Sequence, residues 1–312
     1  VAQIAQMLAG YDVLFIDEAQ GIGDVGLLIK IIVDRFKPVQ VIATGSSAFE
    51  LSGKINEPLT GRKYEMMLLP FSYAELVNDT DFITEERSLE QRLIYGSYPE
   101  IINDPQNAEE HLKLLSDSYL YKDLFTLEDV KKPLLFEKIV KALALQIGSE
   151  VNFSELAQLV KADQKTIDKY ISLLEKSFVV FSLPAFAGNV RNKIKKNKKI
   201  YFYDTGIVNA IMRNFNPIAN RNDVGALFEN YMIVERMKFL HQNQLEAECF
   251  FWRTTQQQEI DYIEQTKEKF LAVEFKWSER GKNKIPVTFT QAYPDAETLL
   301  VSKKDEGSFL NG

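Results

Sequence analysis

Val13-Leu14-Phe15-Ile16-Asp17-Glu18-Ala19-Gln20 is a run of four apolar residues closed by two acids. An apolar strand that delivers paired carboxylates to its end reads as a Walker B strand. There the first acid, Asp17, holds the magnesium of bound ATP and the second, Glu18, polarises the attacking water. The same chemistry needs a phosphate-cradling loop of the form G-x-x-x-x-G-K-[ST], and neither Gly53-Lys54 nor Gly281-Lys282 stands in that pattern. The loop is therefore expected upstream of Val1, in a chain trimmed at its start, and ATP binding is expected of the complete protein only. An acidic strand end in solvent is the plain alternative.

Working outward, a helical segment over 25–36 and Pro38 separate this strand from a second apolar run, Val39 to Ala43. Strand, helix and strand in that order make a βαβ unit, whose strands run parallel. The second strand ends in Thr44-Gly45-Ser46-Ser47. Ligands of open α/β sheets bind at the carboxyl ends of the strands. The hydroxyls of this run thus become candidates for sensing a γ-phosphate, Ser46 and Ser47 foremost, with a turn and helix cap as the alternative. Met66 to Leu69, ahead of Pro70, is expected to continue the sheet, and Phe71 to Val77 to be helical.

The 312 residues suffice for two or three domains. A hydrophobic share of 46% and a charged share of 26% are those of an ordinary globular chain. With no long apolar run, no membrane span is expected. One cysteine and two histidines exclude an internal disulfide and leave no basis for a zinc cluster. With no signal peptide in view, a reducing cytoplasm is the expected compartment. A net charge of -7 requires any polyanion contact to come from a local basic patch.

Residues 1–130 form the first expected domain, a partial α/β sheet followed by helices broken at Gly96-Ser97-Tyr98-Pro99. Residues 131–222 form the second. Leu134 to Ile147 is amphipathic, Asn152-Phe153-Ser154-Glu155 has capping-box spacing, and Asp163 can cap a third helix to about Ser177. Three helices followed by strands read as a winged helix. On the third helix Lys165 and Lys169, with Gln164, lie opposite Ile167, Tyr170, Ile171 and Leu174. Arg191, Lys193, Lys195, Lys196, Lys198 and Lys199 then place six positive charges in nine residues. These lysines and the arginine are candidate DNA contacts of the salt-sensitive, phosphate-tracking kind. A solvated hairpin in a protein-docking module is the alternative.

Residues 223–312 form the third, with the order αβββαβ. Asp261 falls on its second strand, and Glu274-Phe275-Lys276 sets an acid and a lysine on one face of the third. Carboxylates on adjacent strands can grip a divalent metal such as Mg2+ while a lysine orients the nucleophile, which is nuclease chemistry. Glu229 on the preceding helix is a candidate third carboxylate. Taken alone, acid-x-lysine in a strand is also a common solvated face.

VLFIDEAQ, VIATGSSAFEL, LTGRKYEMMLLPFSYAEL, GSYPEII and YLYKDLF together resemble a prokaryotic family of AAA-type ATPases. The resemblance covers essentially the whole chain. It implies a P-loop AAA-type sheet, a winged helix, and a carboxyl-terminal domain of unknown function similar to PD-(D/E)XK nucleases, with a restriction-endonuclease-like fold. It matches Asp17 to the magnesium-side acid, Glu18 to the catalytic acid, Ser46 or Ser47 to the sensor, and Arg62 to a finger arginine reaching a neighbouring subunit's nucleotide. By the same likeness Arg62 suggests ring-like neighbours, in a homo-oligomer. An α/β protein coupling ATP hydrolysis to a DNA-bound, nuclease-like effector is the leading expectation. A non-catalytic, nucleotide-gated or structural module with an inert nuclease fold is the alternative.

Overall fold

The computed structural model describes residues 2–45, 63–117, 130–186, 198–278 and 285–310. It is a mixed α/β chain that divides into two compact units, 1–68 with 173–178, and 69–172 with 179–312.

In the first unit, α1 (Ala2–Leu8), β1 (Val13–Ile16), α2 (Val25–Arg35) and β2 (Gln40–Ala43) follow in order. β1 and β2 pair in parallel, from Val13 opposite Gln40 to Ile16 opposite Ala43, as the βαβ pattern requires. α2 buries Val25, Ile29 and Ile32, spaced one helical turn apart, against Ile16 and Ala19 and against Leu8 and Val39. The expected third strand is not formed. Residues 63–69 adopt no regular structure, and Tyr64, Met66 and Leu68 are at least 91% exposed. An apolar run becomes a strand only where a neighbouring ladder takes up its backbone, and among the described residues none pairs with it.

The second unit begins with α3 (Tyr73–Asp79), α4 (Phe82–Tyr95), α5 (Pro99–Asn103) and α6 (Ala108–Leu115). Ser72 closes a capping box with Glu75 at the start of α3. α4 stops at Gly96, whose φ of +70° favours glycine. A Cβ there would lie 2.0 Å from the Asp204 carboxylate, which accepts the Ser97 N–H at 2.8 Å and the Ile207 N–H at 3.2 Å. The last carbonyls of α4 are also claimed. Thr205 Oγ1 donates to Arg92 O, and Asn209 Nδ2 to Leu93 O and Ile94 O.

α7 (Pro133–Leu145), β3 (Glu150–Val151), α8 (Phe153–Val160), α9 (Gln164–Lys176), β4 (Val180–Pro184) and β5 (Lys198–Phe202) come next. The three strands form an antiparallel sheet in the order β3-β5-β4. Asn152 caps α8, accepting from Ser154 N and Glu155 N. Asp163 caps α9 through Thr166 N and its hydroxyl. After α10 (Thr205–Met212) comes the long α11 (Val224–Gln242), then β6 (Glu248–Arg253), β7 (Glu259–Gln265), β8 (Phe270–Lys276), α12 (Val287–Ala292), β9 (Glu297–Ser302) and α13 (Glu306–Leu310).

The second sheet runs β6-β7-β8-β9, antiparallel except for the parallel β8–β9 pair joined through α12. One face packs Phe251, Tyr262, Val273 and Val301 with Phe228, Tyr231 and Met232 of α11. The other packs Phe250, Trp252 and Ile263 with Phe289 of α12. The two sheets meet at a bridge between Ala185 and Phe251, where Phe186 N donates to Phe251 O at 2.6 Å. Asn230 of α11 ties in β5 by bonding both the N–H and the carbonyl of Phe202.

Candidate functional site

Asp17 and Glu18 stand exposed at the carboxyl end of β1, with Thr44 at the matching end of β2. Thr44 holds the turn through four bonds. Its N–H donates to Ile16 O, its carbonyl accepts from Ala19 N at 2.9 Å, its hydroxyl donates to Asp17 Oδ1 at 2.6 Å, and the same oxygen accepts from Glu18 N at 3.3 Å. The chain can close so tightly because Glu18 sits in the left-handed region, φ 47° and ψ 49°. That conformation is uncommon for a residue with a Cβ and recurs where function demands a particular side-chain direction. A carboxylate and a hydroxyl at adjacent parallel strand ends are a donor set suited to a magnesium ion and its waters. Ser46, Ser47 and Arg62 lie outside the described residues. Thr44 opens the hydroxyl run expected at this edge, and its hydroxyl serves the two acids of β1.

The second cluster lies in the second unit. The β7–β8 ladder ends at Tyr262 opposite Val273, and the Asp261 side chain then takes the Phe275 N–H at 2.9 Å. Glu274 and Lys276 share a face of β8, as their spacing predicts, and pair at 2.7 Å. Glu274 Oε2 is buried without a hydrogen-bond partner. Lys276 lies partly exposed beside it. Glu229 reaches in from α11, where its Oε1 accepts from Lys199 Nζ at 2.9 Å and from the Tyr201 hydroxyl at 2.5 Å.

Lys199 requires a correction to the sequence reading. It is not a surface cation of the basic run but fully buried, because β5 is covered on both faces from Lys199 onward and its two-residue period sends Lys199 and Tyr201 to the same side, where both reach Glu229 of α11. Its ammonium pairs with Glu229 and Glu259 and lies 3.8 Å from Asp261. A lysine among Ile, Tyr and Phe in a strand was the signal available for this. Glu259 and Tyr201 were not anticipated.

Burial dominates the electrostatics. It raises the Glu229 carboxyl to about 7, helped by the Asp261 charge and opposed by Lys199 and Tyr201. Burial likewise raises Asp261 and Glu274, the latter also through repulsion from Asp261. Burial works against the charged form of Lys199, yet Glu229, Asp261 and Glu259 raise its pKa above the ordinary lysine value.

Of the remaining candidates, Lys165 and Lys169 are exposed on α9 while Ile167, Tyr170 and Ile171 are buried. Lys198 is exposed at the start of β5. Arg191, Lys193, Lys195 and Lys196 lie outside the described residues. Among the described residues, no group of three or more His, Cys, Asp or Glu side chains is arranged to hold a metal ion. Among them too, no helix is long and apolar enough to cross a membrane.

Residues 2–77 match the AAA domain family. Residues 86–218 and 224–311 match two families described as domains of unknown function, DUF8612 and DUF4143. An AAA-type amino-terminal segment thus precedes a carboxyl-terminal domain of unknown function, in the expected order. An uncharacterized protein of Haemophilus influenzae is 26% identical over 211 residues, covering 64% of this chain and 51% of the relative. One of Mycobacterium tuberculosis is 26% identical over 258 residues, covering 80% of this chain and 55% of the relative. A third, of Methanocaldococcus jannaschii, is 22% identical, with shares of 94% and 69%. The chain spans about half the length of the first two. No solved structure matches the chain.

Proposed function

We propose that the complete protein is a magnesium-dependent ATP hydrolase of the AAA type, with Asp17 on the metal side, Glu18 activating water and Thr44 fixing both. The carrying observation is the Thr44 hydroxyl on Asp17 at 2.6 Å, with Glu18 held in a left-handed turn beside it. The match of residues 2–77 to the AAA domain supports the same reading. Magnesium there would neutralise charge on the transferred phosphoryl group, while Glu18 orients and deprotonates water. The test is ATP hydrolysis by the full-length protein. Glu18→Gln is expected to lower turnover at least about a hundredfold while leaving ATP binding within a few fold, the signature of a group used in the transition state. Full activity in that variant would remove the assignment.

The order α7-β3-α8-α9-β4-β5 with sheet order β3-β5-β4 supports a winged-helix reading. Exposed Lys165 and Lys169 on α9 make it a candidate DNA contact. The αβββαβ order over 224–310 supports a PD-(D/E)XK-like scaffold, and likeness of scaffold does not carry activity. Its acids do not fit a resident magnesium as they stand. Glu229 Oε1 is taken by Lys199 and Tyr201, and the Lys199 ammonium lies among the carboxylates.

A further inference from the structure

We propose that Lys199 is the resident cation of the acidic centre formed by Glu229, Glu259 and Asp261, standing where a divalent metal would bind, and that removing its ammonium converts the centre into a divalent-cation site. Placing an ammonium out of water is costly unless its three donors find acceptors. Lys199 finds three carboxylates, one on α11 and two on the same face of β7. Glu229 comes from α11 at 2.9 Å, Glu259 from the first residue of β7, and Asp261 from two residues further on at 3.8 Å. The Phe251 ring lies 5.7 Å from the same nitrogen.

The other nearby cations are engaged elsewhere in the cluster. Lys276 is on Glu274, and Arg253 bridges Glu150 and Glu259. Lys199 arrives from β5, a strand of the other sheet, so the centre also fastens the two sheets beside the Ala185–Phe251 bridge. Glu229 is shaped for this partner. Its second oxygen lies beside Gly148, where an added Cβ would come within 3.3 Å, while its Oε1 carries the Lys199 and Tyr201 bonds. Glu274 Oε2, buried and unpartnered, is an oxygen that an ion in place of the ammonium could engage. A divalent ion draws oxygens to roughly 2.0–2.2 Å, closer than an ammonium does, so a modest inward movement of these carboxylates completes the exchange.

The test is Mn2+ binding, followed by electron paramagnetic resonance and calorimetry on the whole chain. An Asp17→Asn background keeps the amino-terminal acid from contributing. With Lys199 intact, weak binding is expected. Lys199→Ala is expected to bind Mn2+ at least about tenfold more tightly and to show a Tm that rises with Mn2+. Lys199→Arg, which keeps a cation, is expected to gain nothing, and adding Asp261→Asn to Lys199→Ala is expected to cancel the gain. Tight binding with Lys199 intact that Asp261→Asn abolishes would overturn the proposal, as would a folded Lys199→Ala that binds no better. Should Lys199→Ala fail to fold alone, recovery of cooperative unfolding in Mn2+ supports the proposal and absence of recovery overturns it.

Discussion

Single side chains decide the chemistry at both clusters. Thr44 organises the β1 edge because one hydroxyl donates to Asp17 and accepts from Glu18 N. Thr44→Val keeps the shape and removes both bonds. It is expected to cost about 1 kcal/mol of stability and a larger share of ATP turnover, checked by denaturant unfolding alongside hydrolysis by the full-length protein. Glu306 offers a pH test away from either cluster. Its buried carboxyl accepts from the Tyr231 hydroxyl at 2.9 Å. Burial first, then the charges of Glu235, Glu85 and Glu86, push it from 4.5 to about 8, against the Tyr231 bond. A raised acid binds its proton more tightly folded than unfolded. Its contribution to stability therefore falls as pH rises from about 4.5 to about 8. Glu306→Gln is expected to flatten this slope, leaving Tm nearly unchanged at pH 5 and raising it relative to wild type at pH 9. Parallel Tm curves for the two proteins would contradict the assignment.

Elements form where local signals and long-range contacts agree. The Asn152 cap and the Asp163 cap each use short-range hydrogen bonds that the sequence spells out, and each appears at the start of its helix. Met66 to Leu69 carries an equally apolar signal, yet a strand depends on a neighbour that local sequence does not specify. The α4–α5 turn is a third case. Gly96 and Pro99 mark a break, but why glycine is required emerges only from Asp204, more than a hundred residues away, whose carboxylate fills the space a Cβ would need. Gly96→Ala combines a strained φ with that overlap. It is expected to destabilise by at least about 1–3 kcal/mol, whereas Ser72→Ala should cost about 1 kcal/mol. Chemical denaturation of the two variants side by side orders them, and equal losses would contradict the account of the turn.

At the scale of the whole molecule, α9 provides the test of nucleic-acid contact. Replacing both Lys165 and Lys169 by Ala is expected to weaken duplex DNA binding irrespective of sequence and to shallow the log–log salt dependence by about two. Fluorescence anisotropy at several salt concentrations measures this, and an unchanged slope would remove α9 from the interface. The parallel pairing of β1 and β2, the Asn152 and Asp163 caps, and most of the order of helices and strands from Pro133 onward, though not β3, α10 or α13, were legible because hydrophobic period, turn residues and capping spacing act over a few residues. So was the approach of Glu274 to Lys276, fixed by the two-residue period of a strand. The fate of Lys199 was not legible. Its charge joined a basic run in sequence, but β5 pairing and the carboxylates of α11 and β7 turned it inward, and ion pairing between distant elements has no local signature. The same holds at β1. Val13 to Glu18 announced paired acids at a strand end, and only the folded turn showed that Thr44, 27 positions beyond Asp17, holds them in place.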